Sequence, residues 1–575
     1  MTDYRETYRM WCSAPWFDEA TKEELKSIEG DEKEIEDRFY RDLEFGTGGL
    51  RGVIGAGTNR MNLYTVGKAT QGLANYIIRN GGQEKGVAIA FDSRHMSPEF
   101  SEAAALCLNA NGIKTYRFET LRPTPELSFA LRELKCIAGI VVTASHNPPE
   151  YNGYKVYWED GAQITAPKDR EIISEVNSIT DFREVKTMDK KAAVEQGLYH
   201  VIGEAMDDRY MEELKEQIIH PEVIREMADD IRIVYTPLHG TGNLPVRRIL
   251  KELGFRHVYV VPAQELPDGD FPTVSYPNPE DPKAFALALE LAGQVDADIV
   301  LATDPDADRL GVYAKNKEDG QYVSFTGNMS GMLIAEYILR ERRGNHTLPE
   351  DGALIKTIVT TNMADRLAGE YGVELIEVLT GFKYIGEQIK FFEERGNRHY
   401  VFGLEESYGC LVGTHARDKD AVSAVMALCE AAAWYKKHGM TLWDAMVNLY
   451  DRYGYYREGL STLTYKGADG AEKIGEIMDE LRRNPPEKIG NFAVKAIRDY
   501  REGTRTDTKT GCAEKLALPK SNVIYYELEN DEWCCARPSG TEPKIKFYMG
   551  VRGSGLEDAK QRLQQLTDSL HDRLK

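Results

Sequence analysis

Only eight cysteines occur in the chain, at positions 12, 107, 136, 410, 429, 512, 534 and 535, with no C-x-x-C pair and no histidine at zinc-finger spacing. That scarcity excludes a disulfide scaffold and a structural zinc module, and it fits reduced thiols. Nowhere do 18 apolar residues run together, and the opening Met1-Thr2-Asp3-Tyr4-Arg5-Glu6 lacks the apolar core of a signal peptide. Neither a membrane span nor a secretory leader is expected, so a soluble, cytoplasmic protein is. A basic face is missing as well, since 72 Lys and Arg stand against 93 Asp and Glu, a net charge of −21. Nucleic acid is thereby excluded as a partner, and a small anion would need locally clustered Arg and Lys. No tract rich in Pro, Gly or Ser interrupts the chain, and 42% hydrophobic with 29% charged residues describes globular rather than disordered sequence.

What is present is length. At roughly 150 residues per domain, 575 residues predict about four domains. Residues 1–40 are charged and helical in pattern, with Thr21 and Glu24 spaced as a capping box. From 41 onward short apolar runs alternate with helix-length segments, the pattern of βαβ units. Gly86 to Phe91 and Ile137 to Val142 read as buried strands; Ile231 to Tyr235, His257 to Val261 and Ile299 to Ala302 form a second set. Leu354 to Val359, Glu374 to Val378 and Tyr400 to Phe402 form a third, and the shared rhythm makes structural repeats plausible. The last stretch differs: apolar residues at helical spacing (Ile474, Ile477, Met478, Leu481 and Leu556, Ala559, Leu563, Leu566, Leu570) flank three antiparallel-type strands, predicting an α+β domain. The expected divisions are 1–40, 41–205, 206–325, 326–455 and 456–575.

Chemistry gathers in loops that follow the apolar strands. Thr143-Ala144-Ser145-His146-Asn147-Pro148 offers a hydroxyl nucleophile with a polar neighbour, although an Asn-Pro turn reads the same way. It is no serine-hydrolase elbow, because Thr143 and Asn147 stand where G-x-S-x-G needs glycine. Asp304-Pro305-Asp306-Ala307-Asp308-Arg309 sets three carboxylates at alternate positions with an Arg beside them, hard oxygen ligands next to an anion contact. An EF-hand is excluded by Arg309 at its sixth position and Lys315 at its twelfth. Glu405 and Ser407, in Gly403-Leu404-Glu405-Glu406-Ser407-Tyr408-Gly409, suit adjacent hydroxyls of a sugar, with His415, Arg417, Asp418 and Lys419 following. Arg537, Ser539, Gly540, Thr541 and Lys546 have the donors of a phosphate cradle. No G-x-x-x-x-G-K-[ST] P-loop exists anywhere. Two further loops fit the theme: Phe45 to Gly52, a glycine-rich anion-facing turn carrying Arg51 that follows no clear strand, and Leu379-Thr380-Gly381-Phe382-Lys383.

The four loops, T-A-S-H-N-P, D-P-D-A-D-R, G-L-E-E-S-Y-G and R-P-S-G-T-E-P, in that order and one per domain, closely resemble those of the α-D-phosphohexomutase superfamily. The N-terminal extension and F-G-T-G-G-L-R-G favour its phosphoglucomutase branch, long bacterial members similar to the mammalian phosphopentomutase-like ones. The resemblance implies three related α/β domains plus a C-terminal α+β domain around a central cleft. It implies that Ser145 is phosphorylated and that Asp304, Asp306 and Asp308 hold one Mg²⁺ per subunit with a phosphoryl oxygen on Ser145. Arg309 would neutralise the transferring group, Glu405 and Ser407 would grip sugar hydroxyls, and Arg537, Ser539, Gly540, Thr541 and Lys546 would hold the non-reacting phosphate. Leu404 departs from the pattern, standing where many members have Glu, but the E-x-S spacing survives. His146, Lys155 and Lys419 are acid/base candidates, with Arg51 joining the catalytic set and Thr380 and Gly381 the substrate contacts. The implied reaction interconverts glucose 1-phosphate and glucose 6-phosphate through glucose 1,6-bisphosphate, which also serves as activator. Phosphomannomutase, phosphopentomutase or sugar-bisphosphate synthase activity remain alternatives, as do monomer and homodimer.

Overall fold

The computed structural model describes residues 3–46, 48–465, 468–539 and 544–574. Three of its four sheets share one wiring. A first strand (Val87–Phe91, Arg232–Thr236 or Gly352–Thr357) pairs parallel with a second (Thr115–Phe118, His257–Val260 or Glu374–Val378). The first also pairs parallel with a third (Ala138–Val142, Ile299–Thr303 or His399–Glu405). Each third strand then turns back through a short loop into an antiparallel fourth (Tyr151–Trp158, Leu310–Lys315 or Gly409–Val412). The order fourth-third-first-second is the same in all three sheets, so the blocks are structural repeats. The sequence reason is plain: AGIVV and IVLAT are apolar but for the closing Thr303 and buried at every position, as strands covered on both faces must be.

The reversing loops share a backbone device. Each holds one non-glycine residue in the left-handed region, Ser145 (φ 52), Ala307 (φ 50) and Tyr408 (φ 65). That conformation costs a side-chain-bearing residue energy and persists where surrounding structure fixes it.

The fourth sheet is antiparallel and eight-stranded, with Tyr455–Thr464 against Lys544–Gly553, then Trp533–Pro538, Ile524–Leu528 and Phe492–Asp499. Helices Ala468–Arg483 and Leu556–Leu574 cover it through Ile474, Met478, Leu566 and Leu570, whereas Leu556 lies exposed at its helix start. One apolar core runs from Phe118 and Leu131 through Ile233 and Leu301 to Phe402 and Met426, joining the three repeats. A separate seam joins the third repeat to the last sheet, where Ile358, Val359 and Leu379 meet Tyr525, Trp533 and Tyr548. The expected strand Leu354 to Val359 therefore ends early, at Thr357, because its last two apolar residues are spent on the seam.

Three helices, Tyr4–Ser13, Glu19–Ser27 and Glu32–Phe39, wrap a small core of Trp11, Phe17, Leu25 and Phe39. The expected capping box is corrected: Asp18 caps the second helix by accepting from Thr21 N, and Glu24 instead accepts from Arg38 and the Ala56 N–H. The glycine-rich segment 45–52 follows no strand among the described residues, but its second half enters one, since Gly49–Val53 pairs with Tyr151–Trp158.

Gly153 sits where three strands crowd: a Cβ there would lie 2.4 Å from the Thr143 carbonyl and 2.9 Å from that of Leu50. Backbone cannot yield as a side chain does, so Gly153→Ala is expected to destabilise by about 1–3 kcal/mol, measured as a lowered urea midpoint.

Candidate active site

The three reversing loops meet. Ser145 Oγ donates to Asp304 Oδ2 at 2.6 Å, joining the first repeat to the second. Lys155 Nζ, on the antiparallel strand after the Ser145 loop, donates to Asp306 Oδ2 at 2.7 Å and lies 3.5 Å from Asp308 Oδ2. Lys419 Nζ, from the third repeat, reaches Asp308 Oδ2 at 3.1 Å, Asp418 Oδ1 at 3.1 Å and Glu405 Oε1 at 3.9 Å. One ligand oxygen from each of Asp304, Asp306 and Asp308 lies within 4.8 Å of the others. Asp306 Oδ1 and Asp308 Oδ1 are buried without a hydrogen-bond partner among the described residues. Hard oxygens converging with spare lone pairs fit a divalent cation such as Mg²⁺.

Electrostatics agree with that fit. Burial, then the charges of Asp306 and Asp308, pushes the Asp304 carboxyl well above the usual range. Burial would also raise Asp306, but the Lys155 ammonium more than compensates and holds it low. Lys155 and Lys419 are desolvated, yet the surrounding carboxylates raise both, so neither has the lowered pKa that a buried lysine among cations would show. His146 behaves oppositely: burial, then Arg309 and Arg51, drives it well below its ordinary value, and its Nδ1 lies 3.2 Å from Ser145 Oγ. Arg309 pairs with Glu280 and stays charged. Arg51 Nη1 lies 3.4 Å from Asn147 Oδ1, beside the Ser145 loop.

Around this cluster stand the remaining expected residues. Ser407 Oγ donates to Glu405 Oε1 at 2.9 Å. Glu406, lifted to about 7 by burial and then by Glu405, accepts from Thr357 Oγ1 at 3.1 Å and feels Arg537. Gly381, at φ +121, opens the helix Phe382–Arg395, and Thr380 Oγ1 beside it is buried with no hydrogen-bond partner among the described residues. Arg537 and Lys546 face each other across neighbouring strands. Burial and then Arg537 lower Lys546, with Arg309 adding to the effect, which puts this basic end within electrostatic reach of the metal loop. Ser539 N donates to the Lys544 carbonyl at 2.7 Å. Gly540 and Thr541 lie outside the described residues.

Sequence reading missed Arg94. Its side chain is fully buried and donates to the carbonyls of Ser145 (2.6 Å), Pro148 (2.8 Å), Tyr151 (3.0 Å) and Asn147, with Asp92 as its counter-ion. The signal existed, since Asp92-Ser93-Arg94 follows the strand Val87–Phe91 in the same position where the other chemical loops follow theirs. Also missed was Thr124, whose N–H and hydroxyl bind the Asp306 carbonyl and carboxylate at 2.9 and 2.8 Å.

Comparison with known proteins adds kinship to geometry. Family models described as phosphoglucomutase/phosphomannomutase, alpha/beta/alpha domains I, II and III, match residues 42–183, 208–319 and 326–453. A phosphoglucomutase of Staphylococcus saprophyticus is 37% identical over 536 residues, 93% of this chain and 95% of that protein. The fold alone is shared with pp63/parafusin, a phosphoglucomutase from Paramecium in an open form, at TM-score 0.67, 18% identity and coverage of 92% and 96%. It is shared more loosely with an N-acetylphosphoglucosamine mutase of Aspergillus fumigatus in complex with GlcNAc-6P and magnesium, at TM-score 0.52, 13% identity and coverage of 93% and 97%. Among the described residues no helix is long and apolar enough to cross a membrane.

Removing Arg94 would leave Asp92 buried without its charge partner and take one donor from each of four carbonyls. Arg94→Ala is expected to cost about 3–5 kcal/mol in urea denaturation, and Arg94→Lys less, because the charge survives while the fork is lost.

Proposed function

This chain belongs to the phosphoglucomutase/phosphomannomutase family and has the function of a phosphoglucomutase, and from that premise we propose how its own residues divide the work. The substrates are α-D-glucose 1-phosphate and glucose 6-phosphate. Ser145 carries the phosphoryl group, and Asp304, Asp306 and Asp308 hold Mg²⁺, the ion present in the N-acetylphosphoglucosamine mutase of the same fold. When bound, the ion neutralises charge on the phosphoryl oxygens.

Transfer breaks the Ser145 Oγ–P bond and forms a bond from phosphorus to the free hydroxyl of the sugar monophosphate, giving glucose 1,6-bisphosphate. The hydroxyl loses its proton, and Ser145 Oγ gains one. Lys155 and Lys419, held protonated by their carboxylates, supply positive charge and protons on the reacting side, while the neutral His146 ring contacts Ser145 Oγ. Arg309 spreads the developing charge. Glu405 and Ser407 hold the sugar hydroxyls, with Thr380 and Gly381 beside them. Arg51 steadies the Ser145 loop, and Arg537, Ser539 and Lys546, with Gly540 and Thr541, hold the distal phosphate. The bisphosphate then turns end for end and returns its other phosphate to Ser145.

The observation that carries this reading is the 2.6 Å contact of Ser145 Oγ with Asp304 Oδ2, a nucleophile placed at the edge of a three-carboxylate site. Ser145→Ala is expected to lose at least a thousandfold in kcat, about 4 kcal/mol, with no phosphorylated species in intact-mass analysis. Wild-type turnover in that variant would defeat the mechanism. Exhaustive EDTA treatment is expected to abolish turnover and Mg²⁺ to restore it, measured with glucose 1-phosphate and a trace of glucose 1,6-bisphosphate. Parallel kinetics on mannose and pentose 1-phosphates test the sugar. A preference of roughly tenfold in kcat/KM for glucose, about 1.4 kcal/mol, is expected.

A further inference from the structure

Behind the metal loop lies a cavity of about 230 Å³, between the first two repeats. Leu121, Met211, Leu244, Pro245, Leu266 and Pro267 supply its apolar lining, with Leu244 and Leu266 exposed at the mouth. Its charged residues are already satisfied by one another. Arg122 donates to both oxygens of Asp207 at 2.8 Å, and Arg248 pairs with Glu252 at 2.7 Å and with Asp208. Thr120, Thr241 and Asn243 add polar groups to the lining, and Glu126, 1% exposed, has an Oε1 that lies 3.9 Å from Arg122 Nε and has no hydrogen-bond partner among the described residues. Burial, then Asp207, raises the Glu126 carboxyl well above its usual range and so favours its neutral form. An ionic ligand would find no unpaired counter-charge here. An apolar body with one N–H donor would find both its complements.

The cavity walls also hold the metal loop. On the side of the second repeat, Thr241 N and Oγ1 both donate to the Pro305 carbonyl at 2.8 Å, and a Cβ on Gly240 would lie 2.5 Å from Pro305 Cα. On the side of the first repeat, Thr124, between the lining residues Arg122 and Glu126, holds the Asp306 carbonyl and carboxylate. Consecutive peptides of the loop that carries Asp304, Asp306 and Asp308 are thus fixed by opposite walls of one cavity. Filling the cavity would hold those walls in the arrangement in which the three carboxylates converge.

We propose that this cavity binds a small uncharged aromatic molecule bearing an N–H donor, and that its occupancy tightens cation binding at the adjacent loop. The size fits, because an apolar cavity of about 150 Å³ accepts benzene and a two-ring heterocycle needs somewhat more. The second clause rests on reading Asp304, Asp306 and Asp308 as the metal site; the first does not. By linkage, a ligand that favours the metal-binding arrangement must itself bind more tightly when the metal is present.

The probe is 5-fluoroindole, followed by fluorine NMR on the full chain, with Mg²⁺ binding measured separately by calorimetry. Saturable broadening is expected with wild type. It should be lost in Met211→Trp, which fills the cavity, and weakened at least fivefold in Leu266→Glu, which charges the exposed mouth without entering the core. At saturating probe the Mg²⁺ dissociation constant is expected to fall about fivefold, the low end of ordinary allosteric coupling. Absence of saturable binding up to the probe's solubility, or equal binding in wild type and Leu266→Glu, overturns the site. Probe binding that both variants weaken but that leaves Mg²⁺ affinity unchanged overturns the coupling alone. Failure of Mg²⁺ to bind with or without probe would overturn the metal reading while the fluorine signal still decides the cavity.

Discussion

Three carboxylates buried within one short loop repel each other, and much of the arrangement around them answers that repulsion. Asp304, Asp306 and Asp308 are at most 2% exposed, where unpaired charge is costly. The first repeat supplies Ser145, Thr124 and Lys155, the second the loop itself, and the third Lys419. Cations placed by different domains against one acidic loop make domain assembly and site assembly the same event. Tyr157 extends the linkage by donating at 2.7 Å to Asp418, whose other oxygen lies 3.1 Å from Lys419 Nζ.

The repeated wiring explains how one chain brings such different groups together. A parallel strand, a tight loop and an antiparallel return deliver the loop at the same end of each sheet, the carboxyl end where α/β folds present ligand-binding groups. The loop residues then vary freely, because the fold asks only for the strand pattern and one left-handed position. Ser145 occupies that position itself, so the proposed nucleophile would take the strain of its own turn, and Arg94 gathers the carbonyls on either side.

Residues whose chemistry is local were legible in the sequence. The alternating aspartates and the Ser-His pair after an apolar strand stand where the sequence put them and are brought together in space, and the apolar strands are where their pattern said. What stayed hidden depends on distance in the chain. Arg94 acts through backbone carbonyls 51 to 57 residues away, and Thr124 through a loop 182 residues on. Ile358 and Val359 look like strand because their apolar character is right; only the neighbouring domain decides that they close a seam instead. Thr21 loses its capping role to Asp18 because either side chain satisfies the local rule and packing chooses. The protonation of Lys155 and Lys419 was equally closed to sequence, since the sign of their shift depends on which charges face them.

The net charge of −21 takes its meaning from two poles of opposite sign. At one, burial and then neighbouring acids raise Asp304; at the other, burial and then Arg537 and Arg309 lower Lys546. Each pole therefore holds like charges closer than they would choose to lie, and each is relieved by a ligand of the opposite sign. On the proposed reading, a divalent cation would relieve the first and a phosphate the second. Ser407 and Thr380 bring uncharged hydroxyls and Glu405 a carboxylate oxygen that already accepts from Ser407, hydrogen-bonding groups that would suit a sugar ring between two phosphate positions. A substrate that must exchange its ends needs such a site, because each of its ends has to be acceptable at each pole in turn. On the proposed reading, charge would recognise the phosphates whichever carbon bears them, and the hydrogen-bonding groups of Glu405, Ser407 and Thr380 would recognise the ring.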